Sequence, residues 1–220
     1  MNKNTAADAF RDMNSMYRYQ RYFYDATRKF YLLGRDTLIR KMPITAGDRI
    51  AEIGCGTGRN LQLLAEKYPD ANFYGLDASS EMLVTAKANI SGFDNVQLKT
   101  ALADDFDFGD TFSLDEKFDT IFFSYSISMI PTWREAIECA LSNLKPGGNL
   151  FIVDFYDQME LPAWFRVMLR GWLRKFHVQF WNELIPHLYD LDRAGKGVLS
   201  IESISRRYAF IATFKKTDEY

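Results

Sequence analysis

The chain has 220 residues, of which 47% are hydrophobic and 25% are charged, as is usual for a soluble globular domain. It contains no run of about 18 uncharged apolar residues that would span a membrane, and its N-terminus lacks the apolar core of a secretion signal, so we expect a cytoplasmic protein. Two cysteines favour neither a disulfide framework nor a metal cluster, and the net charge of −2 disfavours a nucleic-acid partner.

The basic residues are unevenly placed along the chain. Residues 11–41 hold eight Lys or Arg against three Asp, and residues 161–177 hold four basic residues and no acid. Such segments are typical of proteins that approach an anionic surface. Solvated helix faces that happen to be basic are an equally simple explanation.

From Asp48 onward, short apolar segments alternate with segments of helical spacing. The apolar segments predict strands at 49–53, 72–76, 96–100, 118–123 and 149–154, followed by a final strand pair at 197–201 and 208–214. Helices are predicted at 59–68, at 79–89 with Ser79 or Ser80 as N-cap, and at 131–144.

These units predict an α/β fold, namely a doubly wound, mostly parallel seven-stranded sheet with an antiparallel edge strand. The predicted organisation is an N-terminal helical lid at 1–44 and a main domain at 45–220, with an amphipathic helical insertion at about 160–190. Ligands of such sheets bind beyond the carboxyl ends of the strands.

A glycine-rich loop follows the first predicted strand in the segment AEIGCGTGR, residues 51–59. Gly54, Gly56 and Gly58 can adopt positive φ and let the backbone approach a ligand closely. The spacing G-x-G-x-G differs from the G-x-G-x-x-G that is typical of NAD sites. A glycine-rich turn that binds no ligand is the simpler alternative.

Two acidic residues stand beside this loop. Asp77 follows the second strand, where a carboxylate can accept both hydroxyls of a ribose, and Glu52 precedes the loop and can orient a ligand amine. Asp77 is alternatively the N-cap of the next helix. Because this acidic rim suits a cation better than a phosphate, S-adenosylmethionine fits it better than NAD.

The chain resembles the class I S-adenosylmethionine-dependent methyltransferases, which have a Rossmann-like fold. The loop, Asp77 and the Lys145–Gly148 segment carry this resemblance. Further stretches resemble the bacterial N-methyltransferases of betaine-lipid synthesis, which trimethylate diacylglyceryl-homoserine: YDATRKFYLLGR (24–35), SYSISMIPTW (124–133), VDF (153–155), LPAWFR (161–166) and WLRKFHV (172–178).

The resemblance implies a cofactor-binding set and a catalytic set. The cofactor-binding set is Tyr24, Arg28, Glu52, Gly54, Cys55, Gly56, Gly58, Asp77, Ala78, Met82, Leu102, Ala103, Asp104 and Ser124. The catalytic set is Tyr24, Tyr125 and Asp154. The family's Gly-Asp-Ala after the third strand reads Ala101-Leu102-Ala103 in this chain, so that the adenine contact falls to Asp104 or to backbone near Leu102.

Methylation of an amine requires the amine to lose a proton. The candidates to receive it are Asp25, Tyr125, Asp154 and His177. Five tyrosines of the N-terminal segment can attract the quaternary ammonium product, although each can equally be a packing residue: Tyr17, Tyr19, Tyr22, Tyr24 and Tyr31. No metal is expected.

The segment LPAWFRVMLRGWLRKF (161–176) is an amphipathic helix with arginines at 166, 170 and 174. Two interpretations remain open, a helix lying among lipid headgroups or a helix packed on the sheet with its arginines in water. The resemblance implies a lipid substrate in a membrane surface and peripheral contact with the inner face of the cell membrane. Phosphatidylethanolamine is the alternative acceptor.

Overall fold

The computed structural model describes residues 32–175 and 178–217. Seven strands form one sheet: β1 (Arg49–Ile53), β2 (Asn72–Asp77), β3 (Val96–Thr100), β4 (Phe118–Ser124), β5 (Leu144–Phe155), β6 (Gly197–Ile204) and β7 (Ala209–Lys216). The helices of these ranges are α1 (Arg35–Lys41), α2 (Arg59–Lys67), α3 (Ser80–Asn89), α4 (Phe108–Phe112), α5 (Trp133–Asn143), α6 (Ala163–Arg174) and α7 (Leu184–Arg193), with a 3-10 turn at Ile127–Met129.

The strand order is β3-β2-β1-β4-β5-β7-β6. β1 to β5 pair in parallel, whereas β7 runs antiparallel to both β5 and β6. The predicted doubly wound sheet with an antiparallel edge is therefore confirmed. Because the five parallel strands point the same way, their carboxyl ends meet at one edge, where ligands of such sheets bind.

Apolar layers cover both faces of the sheet. One core cluster joins strand residues such as Phe73 and Phe122 to Leu61 of α2 and Leu169 of α6. The other joins residues such as Phe123 to helices α4, α5 and α7. The central strands are buried on both sides, which explains why they are almost continuously apolar in sequence. Each fully buried large side chain contributes about 1.5–3 kcal/mol.

Several boundaries differ from the prediction, most of all at the start of β5. Helix α5 ends at Asn143, and β5 begins at Leu144 rather than Asn149. The strand pairs with Phe118 through Leu144, and the register then shifts before Thr120 pairs with Asn149. The short helix α4 was not predicted, although Asp107 caps it by accepting hydrogen bonds from the Gly109 and Asp110 amides.

Only part of the predicted N-terminal lid lies within the described residues. Segment 32–34 reaches the carboxyl ends of the central strands: the Tyr125 hydroxyl donates a hydrogen bond to the Leu33 carbonyl. A Cβ on Gly34 would lie 3.3 Å from Val153 Cγ2. Residues 32–34 therefore lie beside the expected ligand site.

The antiparallel hairpin packs closely at its first residue. A Cβ on Gly197 would lie 2.6 Å from the Lys215 carbonyl oxygen and 2.6 Å from Phe214 Cζ. Because the backbone cannot yield there, we expect Gly197→Ala to lower the free energy of unfolding by about 1–3 kcal/mol in denaturant titrations. Gly92→Ala is the matched control, since nothing lies within 4 Å of its added Cβ. Equal stability of the two variants would contradict this packing.

Candidate active site

The glycine-rich loop joins β1 to α2 in a left-handed backbone conformation. Gly54, Gly56 and Gly58 have φ values of 74°, 55° and 75°, which side chains oppose. A Cβ on Gly54 would lie 2.5 Å from Ser126 Cβ, and one on Gly58 would lie 3.2 Å from Ala86 Cβ. Protein packing therefore opposes a side chain strongly at Gly54 and more mildly at Gly58, in addition to the effect of φ.

Asp77 fixes the shape of this loop. Its carboxylate is 7% exposed and accepts hydrogen bonds from the Gly56 amide at 2.7 Å and the Ser79 amide at 2.8 Å. The helix cap is Ser79, whose hydroxyl accepts a hydrogen bond from the Met82 amide, so the alternative role of Asp77 as N-cap is wrong. These two bonds tie the glycine-rich loop and the start of α3 to the end of β2.

A second buried carboxylate lies under the loop. Glu52 is 2% exposed, and its Oε1 accepts a hydrogen bond from Asn60 Nδ2 at 2.7 Å. Burial, with the negative charges of Asp77 and Glu52, raises the pKa of the Cys55 thiol well above its usual value. Cys55 therefore remains a neutral, small side chain in the loop.

The other predicted cofactor residues lie around Asp77. Ala78 and Met82 are buried. Leu102, Ala103 and Asp104 form a half-buried turn after β3, closed by a bridge from Leu102 to Asp105. The Ala101 amide donates a hydrogen bond to the Asp77 carbonyl, so this turn is tied to the end of β2.

The ends of β4 and β5 contribute polar side chains to the same edge. The buried Ser124 hydroxyl has no hydrogen-bond partner among the described residues. Burial, followed by the charge of Asp154, raises the pKa of Tyr125 well above its ordinary value. Tyr125 is therefore a poor candidate to accept a proton. Its hydroxyl donates a hydrogen bond to the backbone carbonyl of Leu33.

Asp154 is a more suitable proton acceptor than Tyr125. It is 1% exposed, and burial raises its pKa from 3.8 to about 6. The Ser128 and Phe155 amides donate hydrogen bonds to its two oxygens at 3.0 and 2.7 Å, and they moderate that rise. Tyr24, Asp25, Arg28 and His177 lie outside the described residues, so their predicted roles stay predictions.

A cavity of about 240 Å³ lies beside Asp154. It is lined by Ser128, Asp154, Phe155, Tyr156, Asp157, Arg170, Gln179, Phe180, Trp181, Asn182, Leu184, Ile185, Pro186, Arg207 and Phe210. Most of these residues were not singled out by the sequence. The sequence feature that could have indicated this cavity is the aromatic content around Tyr156 and Trp181. Aromatic content alone, however, predicts neither a secondary-structure element nor a motif.

The charged groups around the glycine loop fit S-adenosylmethionine. Two buried carboxylates would repel the phosphates of a dinucleotide but attract an ammonium and a sulfonium. Among the residues that the structure describes, no group of three or more His, Cys, Asp or Glu side chains is arranged to hold a metal ion.

Comparison with known families places the chain in a defined class. The family model for the methyltransferase domain matches residues 44–191. The chain therefore belongs to this family and is an S-adenosylmethionine-dependent methyltransferase domain.

Individual relatives carry different substrate names. The chain is 32% identical over 126 residues to trans-aconitate 2-methyltransferase of Rhizobium rhizogenes, covering 57% of this chain and 45% of the relative. It is 30% identical over 137 residues to demethylmenaquinone methyltransferase of Clavibacter sepedonicus, covering 60% and 53% respectively. The aligned part thus spans about half the length of each relative, and neither name mentions a betaine lipid.

Solved structures share the fold at low sequence identity. An O-methyltransferase family protein from Burkholderia thailandensis has a TM-score of 0.68 at 17% identity, covering 90% of this chain and 59% of that chain. Phosphoethanolamine N-methyltransferase 2 of Haemonchus contortus, solved with S-adenosylmethionine, has a TM-score of 0.66 at 14% identity, covering 83% and 52%. N-methyltransferase NodS of Bradyrhizobium japonicum has a TM-score of 0.58 at 19% identity, covering 83% and 94%.

Proposed function

We propose that this chain is a peripheral membrane N-methyltransferase that converts the amine of diacylglyceryl-homoserine to the trimethylated betaine lipid. The observation that carries the proposal is an exposed apolar face on α6, which gives the chain a surface suited to contact with a bilayer that holds the substrate. The stretches that resemble betaine-lipid N-methyltransferases support the choice of headgroup. We place the enzyme at the cytoplasmic face of the cell membrane.

Helix α6 has apolar residues on two sides. Leu169 and Leu173 are buried in the core, with Phe165 and Trp172 packed partly against it. The exposed face of α6 consists of Trp164, Val167 and Met168, which are 71%, 71% and 56% exposed. Tertiary packing thus divides the apolar residues of this amphipathic helix between the core and the solvent.

The surroundings of this face are basic. Arg174 and Lys175 are exposed at the end of α6, and Arg166 lies half-buried against the sulfur of Met159. Met159 is itself 63% exposed, which extends the apolar surface. Tryptophan, aliphatic side chains and cations together are typical of helices that lie among anionic headgroups. None of the helices in the described ranges is long and apolar enough to cross a bilayer.

The arginines of α6, which are spaced four residues apart, have different surroundings. Arg170 donates hydrogen bonds to the Gln158 side chain and the Asp157 carbonyl, and its guanidinium lies 4.7 Å from the centre of the Phe180 ring. Arg170 thus faces inward to the cavity, while Arg174 faces solvent.

The chemistry needs few protein groups. When bound, S-adenosylmethionine supplies a methyl carbon activated by a sulfonium. The glycine loop and the carboxylates of Asp77 and Glu52 would hold it, and Ala78, Met82, Ser124 and the 102–104 turn would complete its site. The buried Asp154 carboxylate would orient the acceptor amine and accept its proton, since a pKa of about 6 leaves it ionised at neutral pH.

Two other methyl acceptors are alternatives to diacylglyceryl-homoserine. Phosphatidylethanolamine presents the same problem of an amine at a bilayer, with a phosphate in place of the carboxylate. Methylation of a small carboxylate is favoured by the similarity to trans-aconitate 2-methyltransferases. A soluble substrate would give the exposed face of α6 no role.

Labelling with methyl-labelled S-adenosylmethionine distinguishes these substrates. We expect label to enter diacylglyceryl-homoserine in mixed vesicles and to accumulate in its trimethylated form, as separated by chromatography. Phosphatidylethanolamine in identical vesicles and free trans-aconitate are the comparison substrates. Labelling of either comparison substrate, with none in diacylglyceryl-homoserine, would overturn the proposed acceptor.

Vesicle flotation tests the exposed face of α6. We expect Trp164→Glu/Val167→Glu to lower the partition onto anionic vesicles at least tenfold, because two charges replace side chains that enter the interface. Val84→Glu is the matched control, since Val84 is 61% exposed on α3, outside this face. Equal flotation of the double variant, the control and the wild type would exclude this face from membrane contact.

A further inference from the structure

The cavity beside Asp154 is assembled from several separate parts of the chain. The end of β5 and the residues that follow it, the 3-10 turn after β4, helix α6, the segment from α6 into α7, and the β6–β7 hairpin all contribute to its lining. It lies at the edge of the sheet where the parallel strands end, so a group bound in it is close to the chemistry that those strand ends support.

One end of the cavity is negative. Asp154 contributes a carboxylate that is 1% exposed. Ser128, which is 4% exposed, also lines the cavity, and both its amide and its hydroxyl act on the Asp154 carboxylate, lowering its pKa against the effect of burial. The two side chains thus form one polar group in the cavity that can accept a hydrogen bond from an amine.

Two guanidinium groups also line the cavity. Arg207 forms a two-pronged ion pair with Asp157, in which Nε lies 2.7 Å from Oδ1 and Nη2 contacts Oδ2. This pairing lowers the pKa of Asp157, and the charges of Asp157 and Glu160 both act on Arg207. The charge of Arg207 is therefore largely balanced by carboxylates. Arg170 bonds only neutral oxygens among the described residues, so it can still pair with an anion.

The walls between the two ends are aromatic. Phe155, Tyr156, Phe180 and Trp181 line the cavity. Arg207 stacks over Tyr156 and Arg170 over Phe180, at 4.2 and 4.7 Å from the ring centres. Aromatic faces also attract methylated ammonium groups, so such walls tolerate an amine that gains methyl groups.

The backbone at the rim is held in an unusual conformation. Ser205, Arg206 and Arg207 have consecutive φ values of 49°, 58° and 59°, and Gln158 has a φ of 59°. The Gln158 amide donates a hydrogen bond to the Arg207 carbonyl at 2.8 Å, which ties the two strained segments together. Left-handed backbone at non-glycine residues persists where the surrounding structure needs a side chain in a set position, in this case Arg207 against Asp157.

We propose that this cavity binds the zwitterionic headgroup of the acceptor lipid, with the amine at Asp154 and Ser128 and the neighbouring anion at Arg170. The inference rests on the proposed function and makes Arg170 the residue that recognises the anion. A zwitterion matches a cavity that holds both the Asp154 carboxylate and the Arg170 guanidinium, whose hydrogen bonds among the described residues go to neutral oxygens, whereas a simple amine would use only the carboxylate.

Steady-state kinetics with diacylglyceryl-homoserine vesicles test this assignment. Arg170→Gln is expected to raise KM for the lipid at least tenfold while KM for S-adenosylmethionine and kcat change less than threefold, because the lost contact is to the unreacting anion. Arg170→Lys is expected to recover part of the loss. Arg193→Gln is the matched control, on a side chain that is 74% exposed on α7 outside the cavity.

Asp154→Asn is expected to lower kcat/KM at least tenfold, since the amine loses its carboxylate. Melting curves of each variant separate these effects from unfolding. An unchanged KM for the lipid in a folded Arg170→Gln variant would overturn the assignment. A larger effect with phosphatidylethanolamine than with diacylglyceryl-homoserine would identify a phosphate as the anion and contradict the homoserine headgroup.

A binding experiment separates failure of the cavity from failure of the proposed function. Calorimetric titration with soluble glyceryl-homoserine is expected to give binding to the wild type that Arg170→Gln weakens at least tenfold. If the wild type labels no diacylglyceryl-homoserine, the proposed function fails whatever the cavity binds. If it labels the lipid and Arg170→Gln leaves both KM and headgroup binding unchanged, the cavity assignment alone fails.

Discussion

The hydrogen bond from the Gly56 amide to the Asp77 carboxylate is the contact on which the candidate site depends. It joins the loop after β1 to the end of β2 inside a buried region, where a charge-assisted bond is stronger than at the surface. The second oxygen of Asp77 fixes the start of α3 through Ser79. One carboxylate thus sets the positions of two segments of the candidate site, and Gly54, which has no side chain, leaves room for Ser126.

The parallel sheet explains why the remaining polar groups gather at one edge. Glu52, Asp77, Ser124 and Asp154 each stand at the carboxyl end of a different parallel strand. Since all of these strands point the same way, their ends form a common surface although the residues are far apart in sequence. The antiparallel hairpin adds Arg207 from its turn, so the edge strands also take part in the cavity.

The sequence predicted most of the fold because the signals were local. Apolar strands, the Ser79 cap and the final strand pair are readable from neighbouring residues, and these features were confirmed. The contacts that the sequence did not predict connect segments that are distant along the chain, such as Ser126 with Gly54 and Arg207 with Asp157. The division of α6 into a buried and an exposed apolar side likewise depends on what packs against it, which amphipathic spacing alone does not specify.

The central claim is that Asp77 and the glycine loop form the binding site of S-adenosylmethionine. Calorimetric titration of that ligand into Asp77→Asn tests it most directly, with Asp94→Asn, an exposed acid distant from the loop in sequence, as control. Loss of a charged hydrogen-bonding group predicts affinity at least tenfold weaker in a variant that still melts cooperatively, and unchanged affinity in the control. Equal affinity in the wild type and a folded Asp77→Asn variant would contradict the account.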